Sequence, residues 1–248
     1  FNCCKNVFDK MQKNTKYNTD GLIFTPMSYK IKQLDISKEP DLTKNRWYAS
    51  YKWKEPKDNT IDFLIKIKNK SELNIQHQQD FIREINTIEL YVGKYYIDYR
   101  KALLKNTRKG GSYNKVLFQP DNYNYNNDVH LCKIKSEIIN GLKGMYTEKV
   151  SENMDDNERE LILDDTIVEF RYGTLYNEDS SAKKKWIPIR VRHKKTIEYK
   201  SGGKNFGNNY ETAYTNWISI NEPIPESVLK GNETIKHIIN KENKKINK

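Results

Sequence analysis

The chain has 248 residues, of which 36% are hydrophobic, 12% aromatic and 31% charged, with 17 tyrosines. That balance excludes a disordered chain, and the length allows one large domain or two small ones around a real core. The formal net charge of +11 favours polyanionic partners such as nucleic acid or nucleotide phosphates, with a merely solvated lysine surface as the plain alternative. Cys3, Cys4 and Cys132 have no metal-ligand spacing and read as free thiols of a reducing compartment. No run approaches the roughly eighteen apolar residues of a membrane span, and no leader peptide is seen, so the expectation is a soluble protein without a membrane partner. Because Phe1 lies inside what reads as an element, a fragment of a longer polypeptide is expected.

In chain order, FNCCKNVFDKM places Phe1, Cys4, Val7, Phe8 and Met11 at helical spacing and predicts a helix ending near Lys13. GLIFTPM predicts a strand closed by Pro26. A strand follows around Lys52-Trp53-Lys54, whose alternation puts the two lysines on one surface and Trp53 beneath them as an anchor. Residues 55–59 form a turn. Ile61, Phe63, Ile65 and Ile67 then alternate with Asp62, Leu64, Lys66 and Lys68 in a strand with one apolar face. Ser71 is a candidate N-cap for a helix from Ser71 to Ile85.

INTIELYVGKYYID, KVLFQP, VHLCKIK and DDTIVEFRYG predict further short strands, enough for a small barrel or sandwich. WIPIRVRHKK predicts a strand with Ile187, Ile189 and Val191 on one face and Arg190, Arg192 and Lys194 on the other. Gly202, Gly203 and Gly207 read as a flexible loop, and the lysine- and asparagine-rich end as a linker or tail. His77, His130 and His237 are scattered and support no zinc site, and His193 reads as a surface residue.

TDGLIFTP at 19–26, YKWKEPKDNTIDF at 51–63 and WIPIRVRHKKT at 186–196 resemble, in order, the later motifs of mRNA capping enzyme guanylyltransferases. NNYETAYTNWISINEPIPESVL resembles the segment that follows them, so the likeness runs from about residue 1 to about residue 230. The resemblance implies an α+β, mostly β chain: the end of an antiparallel nucleotidyltransferase domain (1–65), an OB-fold β-barrel with helical additions (66–215), and a linker or tail (216–248) leading towards a methyltransferase domain. In that family a lysine attacks the α-phosphate of GTP, and GMP passes through a lysyl-GMP intermediate to the 5'-diphosphate end of RNA. The spacing places that lysine upstream of Phe1.

The resemblance further implies roles for individual residues. Lys52 and Lys54 contact nucleotide phosphates, Asp20 and Gly21 lie by the α-phosphate with Asp20 near a divalent metal (Mg or Mn), and Asp62 orients a lysine. Arg190, Arg192 and Lys195 hold the phosphates that leave as pyrophosphate. Lys194 stands where the family usually carries aspartate, a charge reversal. Implied partners are GTP, the RNA 5' end, and triphosphatase and methyltransferase domains of the same polypeptide. Heavy use of Lys, Asn and Ile suggests AT-rich coding, as in a large DNA virus or an AT-rich protist, with the host cytoplasm or the virion as location if viral and the nucleus as an alternative. An ATP-dependent polynucleotide ligase and a non-catalytic RNA-binding homologue are the rival readings.

Overall fold

The computed structural model describes residues 4–14, 19, 21–25, 51–73, 84–97, 111–120, 128–149, 151, 153–175 and 183–231. They fall into two compact units, one formed by residues 1–58 with 221–248 and one by residues 59–220.

In the first unit, helix α1 (Cys4–Asn14) turns Cys4 and Phe8 inwards, as the apolar spacing predicts, whereas Val7, expected on the same face, is exposed. Strands β1 (Leu22–Phe24) and β2 (Tyr51–Trp53) pair antiparallel, with Leu22 opposite Trp53. Phe8 meets the Trp53 ring edge to face at 5.3 Å, and Leu22, Phe24 and Leu229 complete a small core. The Trp53 indole N–H donates to the Ile224 carbonyl at 3.0 Å. Gly21 has φ of +96°, and a Cβ there would stand 2.0 Å from the Trp53 carbonyl oxygen, so only glycine fits this entry to β1.

The second unit is a nearly closed antiparallel barrel. Its strands are β3 (Thr60–Leu73), β4 (Glu84–Ile97), β5 (Gly111–Leu117), β6 (Leu131–Ile139), β7 (Leu142–Tyr146), β8 (Leu161–Ile162), β9 (Ile167–Gly173) and β10 (Lys185–Val191). They run in the order β10-β9-β3-β4-β6-β7-β8, with β5 also paired to β4. The two ends of this path approach each other where the Glu148 N–H donates to the Pro188 carbonyl at 2.7 Å and the Trp186 indole donates to Val129 at 2.7 Å. Such an order is compatible with an OB-fold. Helix α2 (His193–Lys200) follows β10 and docks through the Thr196 hydroxyl, which accepts the Ile167 N–H at 2.9 Å. Helix α3 (Tyr210–Asn221) inserts Trp217, fully buried, among Phe118, Tyr172 and Trp186. Helix α4 (Glu226–Leu229) returns to the first unit.

Four expectations change. The boundary expected between 65 and 66 falls inside β3. Of the stretch expected as linker or tail, residues 216–231 supply Trp217 and Ile220 to the barrel core and Leu229 to the smaller core, and residues 232–248 lie outside the described residues. Ser71 lies within β3, which continues to Leu73, β4 begins at Glu84, and Glu72 pairs with Ile85, so both ends of the expected helix are strand whose ladder satisfies the backbone; residues 74–83 lie outside the described residues. The last strand stops at Val191, and its faces differ from the simple alternation. The register slips between Pro188 and Arg190, leaving Ile189 as the extra residue of a bulge at a proline that has no N–H to give the ladder. Val191 faces the core and Arg190 solvent, as expected, but before the slip it is Trp186 that enters the core, with Ile187 opposite Arg171, and the slip brings Arg190 opposite Glu169.

Candidate functional site

Three strands place one polar row on the barrel wall. Asp62 on β3 stands opposite Glu169 on β9, and Glu169 stands opposite Arg190 on β10. Two carboxylates facing each other across a ladder repel, and this pair is largely withdrawn from water, with side chains only 9% and 14% exposed. Three cations make the arrangement tenable. Arg190 donates from Nη2 and Nε to Glu169 Oε2 at 2.5 and 3.1 Å, and Arg192 Nη1 donates to the same oxygen at 3.2 Å. Arg192 Nε lies 3.4 Å from Asp62 Oδ2, and Lys195 Nζ donates to that oxygen at 2.5 Å. The Thr60 hydroxyl completes the set by donating to Glu169 Oε1 at 2.7 Å. Burial alone would push the Glu169 carboxyl upwards; the bonds from Thr60 and Arg190, with the charges of Arg190 and Arg192, outweigh it and hold the group below the usual carboxylate range.

Local folding explains why these groups converge. The bulge at Ile189 turns Arg190 outwards, and the chain then leaves the strand so that Arg192 becomes the N-cap of α2. One helical turn separates Arg192 from Lys195, which returns Lys195 to the same surface. Beneath Asp62, Gly207 presses against β3 with φ of +89°, and a Cβ there would lie 2.3 Å from the Asp62 carbonyl oxygen. Asn208 clamps the same residue, accepting the Asp62 N–H at 2.7 Å and donating its own N–H to the Asp62 carbonyl at 2.8 Å. The glycine-bearing stretch read as a flexible loop is here a fitted support for Asp62.

The remaining expected residues stand as follows. Asp62, Arg190, Arg192 and Lys195 are brought together, while Lys194 is exposed on the first turn of α2 and lies off the strand face expected for it. His193 is a surface residue whose Nε2 lies 2.6 Å from Glu160 Oε1, and Glu160 also accepts the Val191 N–H at 2.7 Å. Trp186 is a core aromatic, 4% exposed. In the first unit Lys52 is exposed on β2 and Lys54 is half-buried just after it, with Trp53 turned into the core between them. Gly21 is the glycine fitted under Trp53, and Asp20 lies outside the described residues. Among the described residues no group of three or more His, Cys, Asp and Glu side chains could hold a metal. Glu169 and Thr60 were not anticipated: in DDTIVEFRYG the glutamate is one outward residue among several, and only its register with Asp62 and Arg190 marks it.

No protein-family model matches the chain. The chain is 28% identical over 222 residues to a probable mRNA-capping enzyme of Acanthamoeba polyphaga mimivirus, an alignment that covers 87% of this chain and 16% of that protein. It therefore spans about a sixth of the relative's length. The likeness to a probable viral mRNA-capping enzyme is in line with the motif resemblance.

Proposed function

We propose that this chain is the C-terminal part of an mRNA guanylyltransferase, with an OB-fold domain, that transfers GMP from GTP through a lysyl-GMP intermediate to the 5'-diphosphate end of RNA. The nucleophilic lysine is supplied by residues that precede Phe1. Its amine attacks the α-phosphorus, the bond to the β-phosphate oxygen breaks, and pyrophosphate leaves; the terminal phosphate oxygen of RNA then displaces the lysine. Lys52 and Lys54 serve as compact point charges for nucleotide phosphates, and the Arg190 and Arg192 forks, with Lys195, take the pyrophosphate being released. The observation that carries the reading is the Asp62–Glu169 pair under three convergent cations: it maintains guanidinium and ammonium groups at fixed places on the barrel wall, which a polyphosphate can take over.

The test is to incubate the polypeptide, extended upstream of Phe1, separately with labelled GTP and labelled ATP. A covalent adduct with GTP is expected, lost in Arg190→Ala and absent from the chain as given. An adduct with ATP alone would make the protein a ligase, and no adduct together with retained RNA binding would make it a non-catalytic RNA-binding homologue.

A further inference from the structure

A second cationic feature lies on the barrel apart from the polar row. Lys94, on β4, sits with its ammonium 4.2 Å from the Tyr210 ring centre and 5.9 Å from that of Tyr96. Tyr210 in turn stacks on Tyr214 at 6.2 Å with planes only 6° apart. Ring, cation, ring and ring thus form one ladder, Tyr96, Lys94, Tyr210 and Tyr214. Tyr96 closes one end of it, 46% exposed, and Tyr214 at the other end is partly exposed. No carboxylate among the described residues lies within ion-pair distance of Lys94, whereas Lys66 and Lys68, on the neighbouring strand, each have one. An ammonium held only by ring faces keeps its charge uncompensated for an outside anion. Opposite Lys94 on β5 stands Asn114, exposed, so nothing bulky crowds the ammonium from the paired strand.

We infer that this ladder binds single-stranded RNA, with a base stacked on the outer face of Tyr96 and a backbone phosphate on Lys94. An exposed ring beside an unpaired cation suits a chain that carries both a π-face and a phosphate at each step, and neither an acidic peptide nor a free phosphate uses the ring. The assignment rests on the proposed reading that RNA is the substrate; it adds where the RNA beyond its reacting 5' end is held.

The test measures the affinity of the complete protein for a 20-nucleotide single-stranded RNA by fluorescence anisotropy at several salt concentrations, without nucleotide. Tyr96→Ala is expected to weaken binding about 10-fold, from the loss of one stacked base. Tyr96→Phe restores it. Lys94→Gln should lower the slope of log affinity against log salt by about 0.7, one phosphate contact on a single strand. Lys200→Gln, an exposed lysine at the end of α2, leaves the slope unchanged. Tyr96→Ala within twofold of the parent, or equal slopes for Lys94→Gln and the parent, overturns the inference, as does an equal loss of slope in Lys200→Gln. Failure of the GTP adduct sinks the guanylyltransferase reading and leaves the RNA titration to decide this one.

Discussion

The polar row predicts an asymmetry between its two halves. Lys195→Met leaves Asp62, 9% exposed, with Arg192 at 3.4 Å as its remaining cation and Glu169 directly opposite, so a nearly buried charge is left poorly compensated. Breaking a fully buried pair costs about 3–5 kcal/mol, and the retained Arg192 and the partial exposure of Lys195, 29%, bring the expected loss to about 2 kcal/mol. Asp62→Asn removes a charge that repels Glu169 and keeps a hydrogen-bonding oxygen, so its loss should be about 1 kcal/mol or less. The double variant then gives a coupling of about 1.5 kcal/mol, in the range of a hydrogen bond to a charged group. Urea unfolding followed by tryptophan fluorescence reads these differences, since Trp186 and Trp217 are both buried in the barrel. Equal losses for the two single variants, or a coupling under about 0.5 kcal/mol, would refute the view that the cations are there to offset two opposed carboxylates.

Gly207→Ala should destabilise the barrel by about 2 kcal/mol or more, because φ of +89° disfavours a side chain and the new Cβ meets the Asp62 carbonyl; a thermal melt within 2 °C of the parent would contradict this. The Glu169 carboxyl is held below its ordinary range, so its stabilising contribution is complete above its unfolded pKa of about 4.3 and disappears as pH falls through the lower folded value. The stability difference between the parent and Glu169→Gln should therefore be constant from pH 7 to about 5 and shrink below about 4.3; a difference that grows on acidification reverses the sign. Burial, and then the charge of Glu148, push the Cys132 thiol up to about 12, so a thiol reagent at pH 8 should modify it only after unfolding. Rapid labelling of Cys132 in the folded chain would show that the barrel seam opens. Glu169→Gln should bind inorganic pyrophosphate more tightly than the parent by calorimetry, and weaker binding would make Glu169 an orienting group for the arginines.

Much of the scaffold was legible from period alone. Helix α1 and the first run of β3 each repeat apolar residues at one spacing over several turns or pleats, which local sequence reports directly, and the three-residue strand through Trp53 shows a single alternation of side chains. Strands β7 and β8 escaped because LKGMY contains a glycine and an exposed Leu142 and Lys143, and the two residues of β8 make no pattern. The bulge escaped because alternation assumes an unbroken pleat, and a single extra residue at Ile189 lets Trp186 before it and Val191 beyond it enter the same core. Asp62 reads as an outward carboxylate, yet it is buried by α2 and by Gly207 and Asn208, from more than a hundred residues further along. Glu169 was invisible for the same reason: Thr60 lies 109 residues before it and Arg190 21 residues after it.

The opposed carboxylates explain more than stability. A barrel selected only to persist would not place Asp62 against Glu169, since apolar residues of similar volume there would avoid both the repulsion and the desolvation. What the pair supplies is a resting partner for each cation. Without one, Arg190, Arg192 and Lys195 would repel one another and spread into solvent, and a polyphosphate would have to gather them at an entropic penalty. With one, the forks are already set, and on the proposed reading polyphosphate binding exchanges carboxylate oxygens for phosphate oxygens at nearly fixed positions. On the proposed guanylyltransferase reading, the same exchange runs backwards once GMP has passed to the lysine, when Glu169 and Asp62 reclaim the cations and so reduce the work of releasing pyrophosphate. On the proposed reading, then, the carboxylates temper affinity: two acids against three cations leave a net attraction of one charge, enough to draw a polyphosphate in without holding the product.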